Sequence, residues 1–161
     1  IGWLLDHIEH TEAHIAECER HMEEQLALAP ESACMMSMKG ISTVTASGLI
    51  GELGGFGEYR NAAAVLKMAG LNLYEISSGA HEGERRITKR GRALLRKLVY
   101  LAVLNMVRSG GVYHERYHAM IARGMPKMKA IVAISRKLLT VQFALVRDRS
   151  IYGAPAVKQA A

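Results

Sequence analysis

Two adjacent serines, Ser77 and Ser78, stand just before Gly79 and a segment dense in positive charge. From Arg85 to Lys97 the chain carries Arg85, Arg86, Lys89, Arg90, Arg92, Arg96 and Lys97, with no acidic residue among them. Hydroxyl oxygens beside such cations suit attack on a phosphate. The oxygen is the nucleophile, and the positive groups meet the non-bridging oxygens as charge develops. A serine hydroxyl is a weak nucleophile unless a base or strong charge stabilisation helps it. His81 follows Ser78 by three residues, which makes it a candidate general base but does not define a triad. Gly79 and Gly83 let the backbone approach a ligand closely. The same residues have a plainer reading, in which Ser77, Ser78 and Gly79 form a turn and the arginines bind phosphate without chemistry.

A second phosphate-binding pattern lies upstream. The run MMSMKGISTVTASGLIGELG, Met35–Gly54, reads as an apolar turn, a tight loop at Gly40 and Ile41, and a helix opened by Ser42 or Thr43. This resembles a helix-hairpin-helix element over residues 34–53, whose second helix grips a DNA phosphate with its first backbone N–H groups. Lys39, Gly40, Ser42 and Thr43 are the candidate contacts, with Ser42 standing where that hairpin usually has its second glycine. The alternative is a helical hairpin that touches no DNA.

Those residues need rigid supports. Residues 1–29 read as one long helix in which Ile1, Leu4, Ile8, Thr11, Ile15, Cys18, Met22 and Gln25 alternate by three and four, a coiled-coil seam suited to dimerisation. His7, His14 and His21 run beside that seam, and His10, His14 and Glu17 are the residues that could hold a divalent metal. Without a third strong ligand in a fixed place, a solvated flank is the simpler reading, and no metal site is assigned. Asn61 is expected to cap a short helix ended by Gly70, and residues 71–91 to form an irregular loop or short ribbon. Thr88 is expected to cap a helix running to about Arg108, with Lys89, Arg92 and Arg96 on one face and an apolar second half buried centrally. A further helix over 113–123 and a last one from Pro126 to about Asp148 complete a compact unit over 34–149. On that last helix Lys127, Arg136 and Lys137 read as surface charges, and residues 150–161 as a frayed tail.

Composition agrees with a mainly α fold: an N-terminal coiled-coil helix followed by a compact helical domain. Half of the 161 residues are apolar and only 6% aromatic, which favours helices over sheets. The methionines, Met35, Met36, Met38, Met68 and Met106 among them, read as core fillers. Cys18 and Cys34 are too few for a disulfide framework or zinc knuckle, so a reduced cytoplasmic setting is expected. Apolar runs stop short of membrane-spanning length, and no secretory signal is visible. Residues 1–34 hold eight acids and one base, a net −7, while the rest holds twenty bases and seven acids, a net +13. A region that basic attracts a polyanion, with nucleic acid first in line.

The order of these motifs resembles a known family. MKGISTVTASGLIGELGGF, then AAVLKMAGL, then SSGAHEGERRITKRGRALLR is similar to the C-terminal transposase domain of the IS-one-ten and IS-eleven-eleven insertion-sequence family, the bridge-RNA-guided serine recombinases. The likeness covers about residues 34–148, and the acidic helix before it looks like that family's interdomain coiled coil. The resemblance implies a serine in a short S-G motif that forms a transient phosphoserine bond with DNA. Here that serine is Ser78, with Ser77 as the near alternative. It also implies that Arg85, Arg86, Lys89 and Arg90 bind scissile or flanking phosphates. Partners would be DNA, a bridge RNA and further copies of the chain as a dimer or tetramer, in the prokaryotic nucleoid. The family's RuvC-like domain, with its acidic set for Mg2+, has no counterpart in this sequence. The chain opens at Ile1 inside a helical pattern, so it is expected to be a piece of a longer protein that binds nucleic acid but does not complete recombination alone.

Overall fold

The computed structural model describes residues 1–75 and 85–153. Its described residues form seven α-helices and one two-stranded ribbon, in agreement with the mainly α expectation. Helix α1 spans Gly2–Leu28, α2 Ser32–Met36, α3 Thr43–Leu53 and α4 Ala62–Met68, with a 3-10 turn at Phe56–Glu58. Strands β1 (Leu73–Glu75) and β2 (Arg85–Ile87) pair antiparallel, with Leu73 opposite Ile87 and Glu75 opposite Arg85. Helices α5 (Ala93–Met106), α6 (His114–Ala122) and α7 (Lys127–Arg147) follow. No helix among the described residues is long and apolar enough to cross a membrane.

Local chemistry accounts for several boundaries. The Ser42 hydroxyl accepts the Thr45 N–H at 3.2 Å, so Ser42 rather than Thr43 opens α3. Asn61 Oδ1 accepts the Ala64 N–H at 3.0 Å and opens α4 as expected. Gly54 ends α3 in the left-handed conformation at φ 75°.

The centre of the core is α7. Ile134, Leu138 and Leu139 are fully buried there, and the helix packs against α2, α4, α5 and α6. Truncating one such leucine to alanine costs about 2–5 kcal/mol, because a cavity remains. Gln142, also fully buried, donates from Nε2 to the Met35 carbonyl at 3.3 Å and ties α7 to α2.

That arrangement corrects the expectation for α5. Leu95, Val99, Ala102, Val103 and Met106 are buried, but Leu94 and Leu101 remain 53% and 46% exposed. Helices α3 and α7 cover two sides of α5 and leave the stripe through Leu94, Lys97 and Leu101 open. An apolar run in sequence therefore overstated its burial.

Helix α1 leans on α3, and only Leu26 is buried within it. Ile8 and Ile15 of the apolar seam are each 53% exposed. The His10 and His14 rings meet edge-on with centroids 4.2 Å apart, and among the described residues no three His, Cys, Asp or Glu side chains gather to hold a metal.

Candidate nucleic-acid interface

The basic segment is held by backbone pairing rather than by a helix. Beyond Ile87 the ribbon continues: the Thr88 N–H donates to the Asn72 carbonyl at 3.0 Å, and the Lys89 N–H to that of Gly70 at 2.9 Å. The Arg92 N–H donates to the Met68 carbonyl at 2.8 Å. Residues 88–92 thus run along the chain that leaves α4.

This corrects the expected cap at Thr88. Its hydroxyl donates to Asn72 Oδ1 at 2.7 Å instead of capping a helix. Gly91 then lies so close to α4 that a Cβ there would sit 2.3 Å from the Met68 carbonyl oxygen. The chain stays non-helical until Arg92, and the helix opens at Ala93 with no side-chain cap. Lys89 adopts φ 53°, a left-handed backbone rare for a side chain of its kind. The expected helical face of Lys89, Arg92 and Arg96 does not form, because only Arg96 lies inside α5.

Three of the expected phosphate ligands share one surface. Arg85, Arg86 and Lys89 line a groove of about 770 Å³ between the ribbon and α7. Arg85 donates from Nε to Glu75 Oε2 at 2.9 Å, and both side chains are substantially exposed. Arg90 is exposed.

The other cations have different surroundings. Arg92 approaches Glu52 of α3 at 3.9 Å. Arg96 turns inward and donates from Nη1 to the Ala69 carbonyl at 3.0 Å and, at 3.4 Å, to that of Lys89. It fastens the basic segment to the end of α4 as a brace.

The hairpin of Lys39, Gly40, Ser42 and Thr43 lies at the opposite end of α5. Gly40 has φ 104°, and a Cβ on it would meet the Met106 side chain at 2.8 Å. Gly48 abuts Leu98 in the same way, and Glu52 reaches Arg92, so α3 and α5 run antiparallel. The hairpin and the basic segment are therefore separated by the length of α5, about 21 Å at ~1.5 Å per residue. Within the hairpin, Ser42 engages the N–H groups of Thr45 and Ala46. The N–H groups of Thr43 and Val44 have no partner within the helix, as holds for the first donors of any helix. Ser77, Ser78, Gly79 and His81 lie outside the described residues, and Glu75 and Arg85 are the described residues on either side of them.

The far wall of the groove was not foreseen. Met125, Met128, Lys129, Val132, Ala133 and Arg136 form it. Arg136 had read as a surface charge, but it is half-buried and its Nε is shielded from solvent with no hydrogen-bond partner among the described residues. A signal was available: Lys129 and Arg136 are seven residues apart on a face whose intervening positions, Val132 and Ala133, are small.

Comparison with known proteins agrees with this assembly of motifs. The model of the Transposase IS116/IS110/IS902 family matches residues 32–118, from the first residue of α2 into α6. A Streptomyces coelicolor relative, the insertion element IS110 uncharacterized 43.6 kDa protein, is 26% identical over 142 residues, which are 86% of this chain and 35% of the relative. The insertion element IS900 uncharacterized 42 kDa protein of Mycobacterium paratuberculosis is 24% identical over 151 residues, 93% of this chain and 38% of the relative. The chain spans a little over a third of the length of these two proteins. Because the family match takes in more than half of the 161 residues, with the hairpin, the ribbon and α5 all inside it, the chain belongs to the Transposase IS116/IS110/IS902 family.

Proposed function

We propose that this chain supplies the DNA-binding and catalytic-serine part of an insertion-sequence transposase. The observation that carries this reading is the convergence of Arg85, Arg86 and Lys89 on one groove, close in sequence to Ser77 and Ser78 and within a transposase family match. In the proposed step the Ser78 Oγ attacks a DNA phosphorus and its proton leaves. The bond from phosphorus to one deoxyribose oxygen breaks, and that oxygen takes up a proton. The phosphoserine ester conserves the bond energy until the hydroxyl of an incoming strand reverses the exchange. The cations stabilise the non-bridging oxygens. Lys39, Gly40, Ser42 and Thr43 would hold a second phosphate at the far end of α5 as a helix-hairpin-helix element.

The same reading brings a bridge RNA, a dimer or tetramer joined through coiled-coil pairing of α1, and work in the prokaryotic nucleoid. Mg2+ belongs in it to an acidic set of the RuvC-like type. The described residues offer no cluster for it, so no step is derived through a metal on this chain.

In the full-length protein with its guide, Ser78→Ala is expected to abolish strand exchange and leave DNA binding intact. Loss in Ser77→Ala with Ser78→Ala active would move the nucleophile by one residue, and activity in both would end the serine mechanism. A second reading, a non-catalytic nucleic-acid and dimerisation module, is favoured by the open stripe of α1 and the open N–H groups of α3. Denaturant-resistant DNA–protein adducts that map to a serine fit only the first.

A further inference from the structure

We propose that the groove between the ribbon and α7 seats an unpaired DNA nucleotide during strand exchange, with Arg136 on its phosphate. This rests on the transposase reading above.

The groove combines two chemistries. Leu73, Tyr74 and Ile87 on the ribbon side face Met125, Met128 and Val132 across it, while Arg85, Lys89 and Arg136 bring positive charge to the same space. A duplex backbone would need the cations alone. An apolar peptide would have no use for the cations, and no acidic residue is among the described residues that line the groove. A flat, weakly polar ring joined to an anion satisfies both sets, which describes a nucleotide.

The size of the groove suits an unpaired base. At about 770 Å³, the groove falls within the roughly 300–1,000 Å³ that holds a small molecule. That is room enough for an extruded base. Tyr74 is 41% exposed and lines the groove with the exposed Met125 and Met128, as a surface built for stacking requires. Arg136 adds an independent sign: its Nε is sheltered from water yet has no acceptor among the described residues, an uncommon state for a buried donor. Arg136 lines the groove, so a phosphate entering it meets the guanidinium while Nε stays covered by protein. DNA is preferred to RNA because β1 and β2 lead directly into the segment with the two serines. The described lining is also poor in neutral polar side chains to read a ribose 2′-hydroxyl.

The test uses the full-length protein and three probes: a short oligothymidylate, a fully paired duplex of equal length, and an oligouridylate. Wild type is expected to prefer the oligothymidylate, and Arg136→Gln to cut its preference over the duplex about tenfold, the scale of one lost stacked and anchored base. Tyr74→Ala, at an exposed position, is expected to do the same and to relieve the fluorescence quenching of a 2-aminopurine placed in the strand. Equal losses on oligothymidylate and duplex would overturn the proposal in favour of an ordinary backbone contact. Losses confined to oligouridylate would overturn it in favour of guide RNA. Adduct trapping with wild type is scored separately: no serine adduct, with the oligothymidylate preference and its loss intact, defeats the nucleophile and leaves the groove assignment standing.

Discussion

The Arg96 guanidinium donates to the carbonyl of Ala69 at 3.0 Å, bridging the first turn of α5 to the end of α4. One cation of the basic segment is thereby spent on architecture. Arg96→Ala is expected to lower stability by about 1.5–3 kcal/mol, the range for a hydrogen bond from a charged donor. Arg90 is the comparison, being exposed. Arg90→Ala is expected to hold stability within about 0.5 kcal/mol while lowering the salt slope of DNA binding by about 1. Urea unfolding and a salt titration on both variants separate brace from ligand.

Gly91 and Gly51 make a second pair. A Cβ on Gly91 would lie 2.3 Å from the Met68 carbonyl oxygen and 2.6 Å from the Gly70 nitrogen. Both neighbours are backbone and cannot swing aside, so Gly91→Ala is expected to cost more than about 1–3 kcal/mol and to loosen residues 88–92. Gly51, inside α3, has nothing within 4 Å of its Cβ position. Gly51→Ala is expected to stabilise by about 0.5–1 kcal/mol. Thermal unfolding should show opposite signs.

Burial, with Tyr152 adding to it, pushes the Tyr113 phenol up to about 12, against a smaller opposing pull from Arg116. The folded state therefore favours the neutral phenol more than the unfolded chain does. This contribution to stability is complete below pH 10 and is lost as pH rises through about 12. Tyr113→Phe should remove that part of the alkaline loss. Because the hydroxyl has no hydrogen-bond partner among the described residues, the variant should match or exceed wild type at neutral pH by up to about 1 kcal/mol. An ultraviolet phenolate titration and urea midpoints at neutral and alkaline pH check both statements.

Helix α1 offers the clearest separation of folding from assembly. Ile8 and Ile15 touch little of the compact domain, each being 53% exposed. Ile8→Lys with Ile15→Lys is expected to reduce the mass seen by sedimentation equilibrium to that of a monomer and to leave the unfolding of α2–α7 in place. An unchanged mass would show that association, if present, uses another surface.

The residues that were legible in sequence are those whose role is settled by near neighbours. Asn61 caps α4 and Ser42 caps α3 through N–H groups three positions ahead, and the ribbon announced itself by lacking helical period. Thr88 misled because a residue sixteen positions away, Asn72, takes its hydroxyl, and because Gly91 is pressed against α4. Arg136 misled for a related reason: spacing along α7 cannot tell a solvated arginine from one facing a groove whose opposite wall is built from residues 73–89. Ser78 followed from motif order alone, and it lies outside the described residues.

The antiparallel pairing of α3 with α5 acts as a ruler. Gly40 marks one end at Met106, and Glu52 marks the other at Arg92, about 21 Å apart along the helix. At ~3.4 Å per base pair this is about six base pairs, a little over half of a turn of roughly 10.5. Over that rise one strand turns its phosphates to the far side of a straight duplex while the opposite strand brings its own to the near side. A single straight duplex laid along α5 would therefore meet its two ends with different strands, one at the Gly40 end and the other at the Arg92 end.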